Sequence, residues 1–173
     1  MAFPHKNIRL HANDYIGERS YFVTICCAGR RAVFAERARA KHVVEILAKH
    51  AVAHRFAIYA YCVMPDHFHM LASGLVPSSD LLAFVRNFKQ TTSRKYFGEH
   101  KQPLWQKKFY DHILRPGSNA DAVAGYIWMN PVRKGLCASP QEYPHSGSFV
   151  VDWKKAFLPS ELWTPAWKTK TTR

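Results

Sequence analysis

Phe56-Ala57-Ile58-Tyr59-Ala60-Tyr61-Cys62-Val63, then Met64-Pro65-Asp66, then His67-Phe68-His69-Met70-Leu71-Ala72, is the stretch on which the fold turns. Both flanking runs are apolar and rich in β-branched or aromatic residues, as strands are. The Pro-Asp step between them is a turn signal. Two strands joined by so short a turn must be antiparallel neighbours, because a parallel pair needs a crossover of a dozen residues or more. Upstream, Ser20 to Cys27 (SYFVTICC), bounded by Gly29-Arg30-Arg31, reads as another strand. From Ala35 to about His54 the apolar positions Ala40, Val43/Val44, Leu47 and Ala51 fall at helical spacing. Downstream, Asp80 to about Phe97 repeats that spacing with Leu81, Val85, Phe88, Thr92 and Tyr96. Phe109 to Leu114 is a fourth strand, broken by Arg115-Pro116-Gly117. Ser118 or Asn119 can cap a third helix, with Asp121 in its first turn; it runs to Asn130 and stops at Pro131. The succession β-α-β-β-α-β plus a helix predicts an α+β fold. It is the ferredoxin-like split arrangement, an antiparallel sheet with an additional C-terminal helix. Residues 1–19 form a basic arm, 20–136 the domain, and 137–173 a peripheral extension.

Lys and Arg number 25 against 12 Asp and Glu, a net charge of +13 on 173 residues. Such self-repulsion points to a polyanionic partner. The excess concentrates between Arg86 and Arg115, where Arg86, Lys89, Arg94, Lys95, Lys101, Lys107, Lys108 and Arg115 face only Glu99 and Asp111. Phe88, Tyr96, Phe97, Trp105, Phe109 and Tyr110 interleave with them. Cations beside rings that can stack on bases suit single-stranded nucleic acid; a solvated helix face beside core aromatics is the plainer alternative. Arg86, Lys89, Lys107 and Lys108, with Arg133 farther on, are the candidate nucleic-acid contacts. No apolar run approaches the roughly 20 residues of a membrane span. The first residues lack the apolar stretch of a signal peptide. The four cysteines show neither C-x-x-C spacing nor the density of a disulfide scaffold. A cytoplasmic protein is expected.

His67 and His69 are two apart on a strand, so both imidazoles emerge on one face while Phe68 enters the other. Such a pair can ligate a divalent metal, or it can be a structural or incidental pair. Tyr126 and Asn130 are four apart on the third helix and share a face. A tyrosine hydroxyl can attack phosphorus, and an Asn oxygen is a neutral ligand for Mg²⁺ or Mn²⁺. Equally, Tyr126 can be packing and Asn130 a helix-end residue before proline. Asp111 and His112 point to opposite sides of the fourth strand, Asp111 toward an edge or loop contact and His112 toward the core or a supporting position. Gly125 weakens the helix directly before Tyr126.

Taken in order, Pro65-Asp66-His67-Phe68-His69, Trp105-Gln106-Lys107-Lys108-Phe109-Tyr110-Asp111-His112 and Tyr126-Ile127-Trp128-Met129-Asn130-Pro131-Val132-Arg133 resemble the REP-associated tyrosine transposases. These are relatives of the single-tyrosine HUH transposases of insertion sequences. Tyr143-Pro144-His145-Ser146 resembles their C-terminal signature, and the likeness covers roughly residues 20–150. The resemblance implies a metal-dependent nuclease and strand transferase for single-stranded DNA. His67 and His69 would hold Mg²⁺ or Mn²⁺, Asn130 would complete the metal site, and Tyr126 would be the catalytic nucleophile on the C-terminal helix. The implied substrate is a REP palindrome folded as a hairpin with a short guide sequence at its foot, and the implied state a monomer. Two rivals lack their motifs. An RRM-like module without chemistry would carry an RNP1 pattern, and a two-histidine phosphoesterase would carry two H-x-Thr/Ser motifs.

Overall fold

A computed structural model describes residues 11–155 and 163–165. Its elements follow the predicted order: β1 (Ser20–Cys26), α1 (Arg37–Ala53), β2 (Phe56–Met64), β3 (His67–Gly74), α2 (Leu81–His100), β4 (Tyr110–Ile113) and α3 (Ala120–Trp128). They are followed by a short α4 (Asn130–Arg133) and a two-residue β5 (Ser146–Gly147). The sheet is antiparallel throughout, in the order β4-β1-β3-β2-β5. Its first four strands have the ferredoxin-like order. Asp80 caps α2 by accepting from the Ala83 amide at 2.9 Å, and Asn119 caps α3 by accepting from Ala122 at 3.0 Å.

Both faces of the sheet are covered, so β1 and β3 are buried along nearly their whole length. On one face α1 and α2 pack with Tyr21, Val23, Ile25, Phe68, Met70, Phe84 and Phe88. On the other, α3 brings Val123, Ala124, Tyr126, Ile127 and Trp128 against Phe22, Ala60, Cys62, Met64 and Leu71. Strand alternation alone would put Ile58, Ala60 and Cys62 on one face. A register shift between Ile58 and Ala60 inserts one residue and reverses the parity of β2. Phe56 and Ile58 therefore serve the first core, and Ala60, Cys62 and Met64 the second.

Three features depart from the sequence reading. The third helix does not run unbroken to Asn130. It ends at Trp128, and after Met129 the chain starts a new turn with Pro131 at its beginning, where a missing N–H costs nothing. The segment after Leu136, read as peripheral, lends β5 to the edge of β2. It also stacks Trp153 on Trp128 at 5.5 Å and accepts the Trp128 indole N–H at the Gly147 carbonyl. Of the basic arm, residues 11–19 are described and 1–10 lie outside the described residues; Tyr15 is buried and donates to Asp111 at 3.1 Å.

Candidate active site

His67 and His69 leave β3 on the face covered by α3. Their register partners on β1 are Cys26 and Thr24. The two rings meet edge to face, and their Nε2 atoms lie 3.0 Å apart. His67 Nδ1 is 2.5 Å from Asp66 Oδ1, and His69 Nδ1 is 2.7 Å from Thr24 Oγ1. With His67 Nδ1–H donating to the Asp66 carboxylate, its Nε2 is an acceptor, and at 3.0 Å the two Nε2 atoms can either share a proton or ligate one cation. A carboxylate or hydroxyl behind each imidazole is the usual support of a metal-binding histidine. Burial pulls the His67 pKa below the ordinary histidine value, against the opposing pull of Asp66. The ring is therefore kept neutral and able to ligate.

Tyr126 stands beside this pair, its ring 6.2 Å from that of His69. Phe22 and Trp163 pack edge-on against it at 5.9 and 5.5 Å, and the residue is only 5% exposed. The Arg133 guanidinium lies 4.2 Å from the ring centroid. Asn130 is buried next to it. Its Nδ2 donates to the Tyr126 carbonyl at 3.1 Å and, at 3.4 Å, to that of Ile127, whose partner one turn on would be Pro131, which has no N–H. Asn130 Oδ1 is the atom of this side chain that can ligate a metal. Tyr110 and His112 alternate with Asp111 onto this same face, opposite Thr24 and Phe22. The His112 ring lies 5.6 Å from Trp163. Gly125 is buried within α3.

The structure thus brings His67, His69 and Tyr126 to one place, with Asn130 bonded to the Tyr126 carbonyl at the end of α3. The predicted nucleic-acid contacts divide. Arg86, Lys107 and Lys108 are exposed, on α2 and on the approach to β4, and so is Arg133 on α4. Lys89 is not a free cation: its Nζ donates to the carbonyls of Gln106 and Lys107 at 2.7 and 2.9 Å, tying α2 to that approach. Arg133 also contacts Tyr126, over its ring and at its backbone carbonyl. Sequence reasoning passed over Thr24, Phe22 and Trp163, and took Asp66 for turn chemistry alone. Only the β1–β3 register shows that Thr24 backs His69, whereas the Asp-His adjacency at 66–67 was a readable signal.

The molecule is thus a ferredoxin-like sheet that carries a supported histidine pair, faced by a helix-borne tyrosine. The chain belongs to the IS200-like transposase family, whose pattern spans residues 17–129. It is 27% identical over 119 residues to a presumed REP-associated tyrosine transposase of Haemophilus influenzae, covering 61% of this chain and 66% of that one. It is 24% identical over 106 residues to the REP-associated tyrosine transposase of Escherichia coli K12, covering 57% and 62%. The matched stretch is less than two thirds of either relative's length. In fold it is similar to a REP-associated tyrosine transposase solved bound to a REP hairpin. That similarity has a TM-score of 0.65 at 21% identity and covers 82% of this chain and 81% of the other.

Proposed function

We propose that the protein is a metal-dependent nuclease and strand transferase that cuts and rejoins single-stranded DNA, with REP-like hairpins as substrate, through a 5′-phosphotyrosine on Tyr126. The observation that carries this reading is the pair of Nε2 atoms 3.0 Å apart, each ring backed through Nδ1, with Tyr126 packed on His69. The donors fit a divalent ion. Among the described residues no third His, Cys, Asp or Glu joins the pair, so Asn130 Oδ1 and substrate oxygens would complete the shell. Mg²⁺ or Mn²⁺ held there would supply Lewis-acid polarisation of the scissile phosphate.

The protein's own groups do the rest. Asp66 and Thr24 hold the imidazoles so that both Nε2 atoms are directed to one point. Tyr126 Oη attacks phosphorus and its proton passes to solvent; the Oη–P bond forms, the P–O3′ bond breaks, and the departing oxygen takes up a proton. One phosphodiester replaces another, so rejoining needs no ATP. The Trp163 indole packs edge-on against the Tyr126 ring. Because α3 packs on β2 and β3 of its own chain, one chain supplies both the histidines and the tyrosine, which supports a monomeric enzyme. Tyr126→Phe keeps the packing and removes the nucleophile. With a labelled hairpin oligonucleotide and Mn²⁺ on a denaturing gel, the covalent adduct should vanish. Tyr143→Phe, which loses only a hydrogen bond to the Val63 carbonyl, should still form it. Adduct persisting in Tyr126→Phe would refute the assignment.

A further inference from the structure

We infer that Arg133, on the turn after the tyrosine helix, is a positioning residue that clamps the nucleophile, and is not a contact to DNA phosphate. The inference rests on the reading of Tyr126 as nucleophile. The break at Met129 sets α4 so that Arg133, seven residues on, reaches back to the end of α3. There it makes two contacts with one residue. Its guanidinium lies over the Tyr126 ring at 4.2 Å, and Nη2 donates to the Tyr126 backbone carbonyl at 2.7 Å. Among the described residues it makes no ion pair with a carboxylate. Its charge is therefore not neutralised where it lies over the ring. His69, Phe22 and Trp163 pack against the same ring, so the guanidinium completes an enclosure that holds the side chain in one orientation. A planar fork can stack and donate at once, which a lysine ammonium cannot. As Oη sheds its proton on the way to phosphorus, negative charge builds on an oxygen conjugated to that ring. A cation already in place stabilises this charge more than it stabilises the resting phenol.

The test compares Arg133→Ala, Arg133→Lys and Arg133→Gln in the full chain, with adduct formation measured in single turnover at saturating hairpin and affinity measured across a salt series. Arg133→Ala should slow adduct formation by about 10- to 100-fold. Hairpin affinity should stay within about twofold, and the slope of log K against log salt should not change, whereas losing a phosphate contact lowers that slope by about 1. Arg133→Gln keeps a donor for the Tyr126 carbonyl without the cation, and should stay slow by about tenfold or more. Arg133→Lys should recover only part of the rate, and ethylguanidinium added to Arg133→Ala should raise it. If Arg133→Ala does not fold, the Gln and Lys variants carry the comparison. A normal rate in Arg133→Gln would reduce Arg133 to a helix cap and overturn the proposal. So would a normal saturated rate combined with a reduced salt slope. Tyr126→Phe is run in parallel: adduct there would refute the nucleophile assignment itself, whereas an inert Tyr126→Phe beside a normal Arg133→Ala would refute the clamp alone.

Discussion

Replacing Asp66 by Asn alters one charge behind the histidine pair and leaves its shape. The Asp66 backbone carbonyl still accepts from Cys27, so the β2–β3 turn keeps its anchor. What changes is the contact from Oδ1 to His67 Nδ1 at 2.5 Å and the ion pair from Oδ2 to Arg30 Nε at 3.3 Å. The ion pair is exposed on the arginine side and is worth less than about 1 kcal/mol. The histidine contact is the larger loss. A hydrogen bond to a carboxylate contributes about 1.5–3 kcal/mol, against about 1 kcal/mol for a neutral acceptor, so His67 loses about 0.5–2 kcal/mol of orientation. Removing such a support from a metal-ligating histidine weakens metal binding by about 10- to 100-fold, or about 1.4–2.7 kcal/mol, which agrees. If the new carboxamide instead turns its NH₂ toward Nδ1, the proton moves to Nε2 and ligation fails altogether. The assay is calorimetric titration of chelator-treated protein with Mn²⁺, wild type beside Asp66→Asn, with urea unfolding of both. Mn²⁺ affinity should fall at least about tenfold while stability falls by no more than about 2 kcal/mol. A folded variant with unchanged Mn²⁺ affinity would show that His67 does not bind metal through Nε2.

Three further outcomes follow from single contacts. Gly74→Ala would drive a Cβ into the Gly17 carbonyl and the Ser79 side chain, and a backbone oxygen cannot rotate away, so unfolding should become easier by about 2–3 kcal/mol; an unchanged urea midpoint would contradict this. Burial holds the pKa values of His50, His112 and His145 below the ordinary 6.5, so below that pH the unfolded chain binds more protons than the native one. Metal-free protein should therefore lose stability as pH falls from about 6.5, and a higher urea midpoint at pH 5.5 than at pH 7.5 would be the wrong sign. Lys89→Ala should lower thermal stability and leave the salt dependence of DNA binding nearly intact, because its ammonium already serves two carbonyls, whereas Arg86→Ala or Lys107→Ala should each reduce the salt slope by about 1. Equal salt effects in all three variants would mean that Lys89 leaves those carbonyls for phosphate.

Periodicity alone was enough to place α1 and α2, because both bury a stripe that recurs every three or four residues. Asn119, offered with Ser118, was a readable cap for the same local reason: a short polar side chain meets the unsatisfied amides of its own helix, as Asp80, taken for the start of α2, also does. The histidine pair was readable too, since alternation along β3 needs no knowledge of the neighbouring strands. The β2 bulge was not, because Phe56 to Met64 is apolar at nearly every position and offers no alternation to interrupt. Nor was β5, two residues long and held by the edge of β2.

Local chemistry therefore decided which residues could act. Strand parity paired His67 with His69, and the 3.6-residue turn put Tyr126 near Asn130. Only the tertiary structure decided what each would act upon. Lys89 and Arg133 are both cations in sequence, yet one ties α2 to the approach to β4 and the other covers the tyrosine. Thr24 was one more strand residue until register placed its hydroxyl 2.7 Å from His69. The reason is physical: propensity and periodicity act within a few residues along the chain, whereas the partner of a charge or a lone pair is fixed by which distant segments the two cores press together.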